Sequence, residues 1–333
     1  MRPIAPTTEL HHEQAKHYWI EYFTRNYKSK ELAEKSLERG AKLPSTALIK
    51  QFVKNMAIGG KSCFDGKSGW SMSTTKQFAS HMWGMLARAG VELPTADAKQ
   101  QILHAIANWQ AKVEKILPTN KQRKAIVREQ DFADFIAMTF HPTLNIANNV
   151  SRIQLHAFSG VLFIKGQRPG SIVEAACYEG SNECVRWGDL EFYAVGWDED
   201  AGLAVCTFWM FHFMKGMRMV DGEYTCSTTR SLPRNRAVLD PQLTILALGM
   251  YRGVFKEDVL QPLAEPNPHA AYPLRIHVKD EFLPKPVWIG VNNKEKAATV
   301  GDMTKLCQKV ASRLGWRNFR MRSFRYAAMC ATC

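Results

Sequence analysis

The sequence holds no apolar run approaching the roughly 20 residues needed to span a bilayer, so no transmembrane helix is expected. Its opening stretch, MRPIAPTTELHHEQ, lacks the apolar core of a secretory signal. It shows no internal repeat and no low-complexity tract. A nucleotide-cradling loop is missing too: Gly60-Lys61-Ser62 has no glycine at the upstream spacing such a loop needs, which argues against ATP use. The eight cysteines are scattered, mostly inside apolar segments, and read as reduced thiols of an intracellular protein. Cys330-Ala-Thr-Cys333 is a single CxxC without a second, and Cys177 and Cys184 flank a Gly-Ser-Asn turn as free thiols. His11, His12 and His17 lie on different faces of one helix and read as surface histidines. No metal, other cofactor or small-molecule ligand is therefore expected. Acid is in short supply as well: 31 Asp and Glu stand against 44 Lys and Arg, a net charge of +13.

That imbalance calls for an acidic partner, nucleic acid ahead of a membrane surface. With 333 residues, 46% of them hydrophobic and 23% charged, the chain has the length for two domains of an ordinary globular protein. The first part reads as helical: Leu10–Tyr27, Ser45–Ile58, Ser73–Gly90 and Thr95–Leu117 carry apolar residues at three-to-four spacing. Ser73 or Thr74 is the expected N-cap of the third helix, and Gly90 its stop. Pro118 to Lys124 is polar, basic and proline-led, a linker. The expected division is 1–120, a basic linker 121–129, and 130–333.

From Gln130 onward the pattern is mixed. Asp131–Thr139, Asn148–Ile164 and Leu243–Phe255 read as helices, and Glu191–Phe213 as two strands around an Asp198-Glu199-Asp200 turn. The fold class is thus mainly α with a small antiparallel β-sheet. The segment His156–Phe192 organises this half. An apolar helix breaks at Gly166, Arg168 follows at the mouth of a helix opened by Pro169, and a Trp-Gly-Asp-Leu turn leads into the first strand. Arg168 there either caps carbonyls or pairs with Glu174, or is free to reach an anion. Lys215 stands at a hairpin tip, and Arg322 one turn into a late helix capped by Asn318. Between Met303 and Leu314, Met303, Leu306, Val310 and Leu314 face one way, while Lys305, Lys309 and Arg313 step by four along another face. Arg317, Arg320, Arg322 and Arg325 extend that charge, opposed only by Asp302, which makes a phosphate-facing surface.

Arg at a helix start, Lys on a hairpin and Arg on a late helix, in that order, resemble the active site of a tyrosine recombinase. The nearest likeness is to the Captain-type recombinases of fungal Starship elements, with Crypton recombinases as relatives. It is carried by GQRPGSIVEA, VRWGDLEF, the Lys215-Gly216 hairpin, LDPQLTILAL and NFRMRSFRYAA. It covers about 130–333 well and the N-terminal part in outline. The resemblance implies a helical core-binding domain that clamps double-stranded DNA, followed by an α+β catalytic domain, in a nuclear protein of a mobile element. Lys76, Lys99 and Lys112, and Lys121, Arg123 and Lys124 of the linker, would then touch phosphates.

In that family a Tyr hydroxyl attacks a DNA phosphodiester, leaving a 3′-phosphotyrosine and a free 5′-hydroxyl, with no metal or external energy source. Arg168 and Arg322 match the two arginines that hold the non-bridging oxygens. Lys215 matches the general acid. Phe319 stands where the family carries His or Tyr, so one contact is lost, or Arg320 or Asn318 replaces it. The family's nucleophile lies well beyond its second Arg, whereas Cys333 is eleven residues past Arg322. Tyr326 lies one turn along the same helix, out of reach of a phosphate held there. The expectation is a catalytic domain truncated before its nucleophile, binding DNA without cleaving it. It would be a monomer off DNA, tetrameric on paired sites only with the remaining segment. Two alternatives stay open: a non-catalytic DNA-binding descendant of the same fold, or an unrelated basic helical scaffold for RNA or acidic proteins.

Overall fold

A computed structural model describes residues 6–60, 69–110, 126–146, 148–198, 202–214, 225–230, 232, 234–256, 272–291, 293, 295–317 and 319–325. The protein is mainly helical with a small antiparallel sheet. It forms two compact units, Met1–Arg123 and Lys124–Cys333. Among the described residues no helix is long and apolar enough to cross a membrane. Residues 121–125 of the expected linker, with Lys121, Arg123 and Lys124, lie outside the described residues, as does Lys112; of the linker's remainder, Val127 is buried in the core of the second unit and Glu129 opens its first helix.

The first unit is a helical layer of α1 (Pro6–Tyr27), α2 (Lys30–Lys35), α3 (Thr46–Gly59), α4 (Met72–Ala89) and α5 (Ala96–Gln110). Serines start several of these helices. The hydroxyls of Ser29, Ser45 and Ser71 accept the backbone N–H groups of Leu32, Leu48 and Thr74 at 3.2, 3.3 and 3.2 Å. The third expected helix thus begins two to three residues early. Ser71, not Ser73 or Thr74, takes the cap, because all three residue types can cap and packing chooses among them. Gly90 ends that helix at φ +74°, as expected. The core is aromatic: Trp19 lies 4.4 Å from Phe23 and edge-on to Phe52 at 5.5 Å, and its indole N–H reaches Ser36 Oγ at 3.0 Å.

One surface expectation is overturned here. His12 is buried at 8% exposure, directly over Gly84, where a Cβ would come within 2.5 Å of its Nε2. Its register on α1 turns it toward α4, while His11 stays at the rim and stacks on His81 at 4.6 Å. His12 Nδ1 has no hydrogen-bond partner.

The second unit contains α6 (Glu129–Phe140), α7 (Asn149–Lys165), α8 (Pro241–Tyr251) and α9 (Val300–Arg313) around a sheet of order β3-β2-β1-β4. The strands are β1 (Leu190–Asp198), β2 (Gly202–Phe211), β3 (Thr225–Arg230) and β4 (Leu274–Ile276), antiparallel in every described pair. β1 and β2 obey period two: Leu190, Phe192, Ala194, Val205, Trp209 and Phe211 point into the core, and Phe208 points out. α7 is buried along most of its length and forms the centre of this unit. α8 packs on it with Gly160 against Pro241, where an added Cβ would lie 3.0 Å from the proline ring. α8 opens two residues before the expected Leu243. Asp240 caps it, one carboxylate oxygen taking the Gln242 N–H and the other the Leu232 N–H, each at 2.8 Å.

Burial holds the His12 pKa below the ordinary histidine value, with the Arg88 charge second, and burial lowers His81 as well. The folded unit then binds fewer protons than the unfolded chain. Its stability is complete above the ordinary histidine pKa and is lost as pH falls from there toward the depressed value. Hydrogen exchange at the α1 and α4 amides should quicken as pH drops from about 7.5 to about 5.5, after correction for intrinsic rates. A His12→Gln/His81→Gln variant should show a flatter profile.

Candidate nucleic-acid interface

The exit of α7 positions the first arginine. The helix starts on Asn148, whose side-chain oxygen accepts the Ser151 N–H at 2.8 Å, and stops at Gly166 with φ +62° and ψ +17°. Arg168 follows in extended backbone, φ −79° and ψ 140°. Pro169 then opens a single 3-10 turn, Pro169–Ser171, rather than the expected helix. Gly170 is a poor helix former, and the next residues, Ile172 and Val173, are β-branched and wholly buried. The chain instead runs to Glu174, which exchanges backbone hydrogen bonds with Ala298 and Val300 at 3.0 and 2.7 Å.

Glu174 is not the partner of Arg168. Its buried carboxylate accepts the Gly180 N–H at 3.1 Å and also the Asn182 N–H, closing the loop between them. Arg168 is exposed and caps no helix. No ion pair or side-chain hydrogen bond ties it to another described residue. Both structural readings of this arginine are thereby removed, and the guanidinium stands uncommitted.

The second arginine is placed by ring packing. Beyond α9 the chain turns at Gly315, φ +70°, and enters a stretch in which Phe319, Met321, Ser323 and Phe324 are buried while Arg322 is exposed. Phe324 meets Phe132 of α6 edge-on at 5.6 Å and Phe135 at 4.9 Å. Phe163, near the end of α7, stacks on the same Phe132 at 4.4 Å with planes 4° apart. The segments bearing Arg168 and Arg322 are therefore anchored on one ring. Arg322, like Arg168, has no side-chain partner among the described residues.

Phe319 is part of that cluster, at 8% exposure and 5.2 to 6.1 Å from Phe324, Trp316 and Phe135. At the position where the resemblance asks for a proton-bearing side chain, this chain turns an apolar ring into its core.

α9 supplies the basic face. Met303, Cys307, Val310 and Ala311 are buried beneath it, whereas Lys305, Lys309 and Arg313 are exposed. Asp302, the one acid of this stretch, is spent on its own helix start. It accepts the Thr299 N–H at 3.1 Å while Thr299 Oγ1 accepts the Asp302 N–H at 3.1 Å. Lys309 donates to the Asn145 carbonyl, so Lys305 and Arg313 are the less committed members. Arg317 is exposed, and Arg320 and Arg325 are half-buried. Lys76 is exposed on α4 and Lys99 half-buried on α5, both in the first unit. Lys215, Asn318 and Tyr326 lie outside the described residues.

Other ionisable residues of the second unit have distinctive surroundings, and two of them, Lys165 and His212, were absent from the sequence reading. Lys165, last residue of α7, donates to the Thr228 carbonyl on β3. Burial lowers its pKa to about 8, with the Cys206 thiol opposing the shift. Its only sequence signal was a basic residue just before a helix-ending glycine, which ordinarily marks a favourable helix C-terminus. His212, just past β2, lies 3.2 Å from Asp189 of the Trp-Gly-Asp turn, whose other oxygen takes the Arg186 N–H at 2.7 Å. Burial pushes the Cys184 thiol up to about 12 and Cys307 higher still, so both stay protonated and unreactive. Among the described residues, no group of three or more His, Cys, Asp or Glu is placed to hold a metal ion.

No protein-family model matches the chain, and no curated protein matches it.

The left-handed backbone at Gly166 gives a direct test of how Arg168 is held. Gly166→Ala should lower stability by about 1 kcal/mol in urea unfolding, because any Cβ is disfavoured at that φ.

Proposed function

We propose that the second unit is a DNA-binding module of tyrosine-recombinase type, gripping the phosphate backbone of duplex DNA through Arg168 and Arg322. The observation that carries this reading is that two exposed arginines without side-chain partners among the described residues lie five residues after Phe163 and two before Phe324, the rings of which both pack on Phe132. A guanidinium left without a carboxylate partner in a protein of net charge +13 is suited to bidentate capture of a phosphate. Lys305 and Arg313 on α9 add contacts that read no bases, so the binding tolerates many sequences. The reading extends to action on nuclear DNA as part of a mobile element, with several copies assembling on paired sites.

The burial of Phe319 favours one version of this reading over another. A ring closed into the core offers no proton and no hydrogen bond to a scissile phosphate, so the module binds DNA without cutting it. Trapping of a covalent protein–DNA adduct on a nicked suicide duplex would reverse that choice.

Arg168→Ala/Arg322→Ala should raise the Kd for an arbitrary duplex by about tenfold. It should also flatten the slope of log K against log salt by about two, one per phosphate released. Unchanged affinity and slope in a folded double variant would sink the proposal. Circular dichroism of the variants checks the fold.

A further inference from the structure

The outer face of the sheet carries side chains that contact with water alone does not call for. Strands β1 and β2 lie at its centre, in the order β3-β2-β1-β4. The alternation that sends Phe192, Val205 and Trp209 into the core sends Tyr193 and Phe208 to the opposite face. Phe208 is 41% exposed, and Tyr193 is half-buried. The two rings meet edge-on at 5.5 Å with planes 82° apart, so they are not stacked on each other and π-surface is left for a further ring.

Charge lies beside the rings. β4 sets Arg275 opposite Tyr193, with its guanidinium 5.9 Å from the centre of that ring. Glu191 stands opposite Phe208 in the ladder, and it accepts Arg275 Nη2 at 3.0 Å and the Tyr193 hydroxyl at 3.1 Å. The carboxylate is thereby neutralised, and it holds both the phenol and the guanidinium in place. Arg275 is exposed, and a guanidinium has five donors, of which this pairing takes one. Exposed Thr228 of β3 completes the row that runs through Glu191 and Phe208.

Aromatic rings on neighbouring central strands of an antiparallel sheet, with a cation alongside, can stack bases and hold the phosphate between them. A duplex hides its base faces in its own stack, so such a platform takes unpaired nucleotides. The net charge of +13 favours the approach of a polyanion.

We propose that the outer face of this sheet binds single-stranded nucleic acid, with bases stacked on Phe208 and Tyr193 and a phosphate on Arg275. The proposal stands apart from the duplex reading, because it uses other residues and recognises base faces that a duplex conceals.

The test is the fluorescence anisotropy of labelled strands of about twelve thymidines or uridines titrated with the full chain. The parent should bind at least one of the two, and the tighter names the strand as DNA or RNA. F208A and Y193A should each raise the Kd by about tenfold. F208L, which keeps apolar bulk but has no π-face, should lose as much, whereas F208W should bind like the parent. R275A should flatten the slope of log K against log salt by about 0.7, the share of one phosphate in a single strand. Duplex binding should be unchanged in F208A and F208L, while R168A and R322A test the duplex reading separately. Failure of the parent to bind either strand, or parent-like strand binding by F208A and F208L, overturns the proposal. Equal weakening of strand and duplex in F208A does so as well. Should F208A and F208L fail to fold, photo-crosslinking of the parent to a strand of 5-iodouridines decides the matter. Adducts on Tyr193 or Phe208 support the platform, and adducts confined to other residues overturn it.

Discussion

A helix buried along most of its length must be covered on most of its sides, and α7 imposes that condition on the second unit. α6 meets it through the Phe132–Phe163 stack, α8 through the close approach of Pro241 to Gly160, and the Val287–Ile289 stretch through Trp288. Gln154 is one of the buried polar residues of α7. Its backbone carbonyl accepts the Trp288 indole N–H at 3.0 Å, and its side-chain oxygen accepts the Ile289 N–H at 2.6 Å. A buried amide used in this way fixes the axial position of the segment it holds, because sliding by one residue would orphan both donors.

Arg152 does comparable work on the outer side of the same helix. Its guanidinium donates to the carbonyls of Thr139, His141 and Leu144 at 2.5, 3.1 and 2.8 Å, which pins the end of α6 and the turn that follows. One arginine is thus consumed by backbone carbonyls, another, Arg252, by the Pro286 and Val287 carbonyls, while Arg168 and Arg322 are not consumed at all. Sequence composition counts these four alike. The difference among them is the property on which a site depends, and it belongs to tertiary structure.

Local signals were legible in the sequence because local physics sets them. Asn148, Ser45, Gly90 and Gly166 do at their helix ends what those residue types do in isolation, and the alternation in β1 and β2 gave the strands. The failures occur where distant contacts decide. His12 reads as solvent-facing until α4 closes over it with a glycine beneath. Pro169 reads as a helix start until the exchange of Glu174 with Ala298 and Val300 draws the chain into an extended path. Phe319 stands at a position chosen by resemblance, and its burial follows from the rings of Phe135, Trp316 and Phe324, which no spacing rule brings together. The two arginines were visible as residues, but their shared dependence on Phe132 was not.

That dependence has a consequence for how the charges respond to solution conditions. The contacts that join the two arginine-bearing segments to Phe132 are one stacked and one edge-on ring pair, and dispersion contacts between rings are indifferent to counterions. Salt therefore screens the two exposed guanidiniums while leaving the ring packing that carries their segments unchanged, so charge and frame answer to different solution conditions.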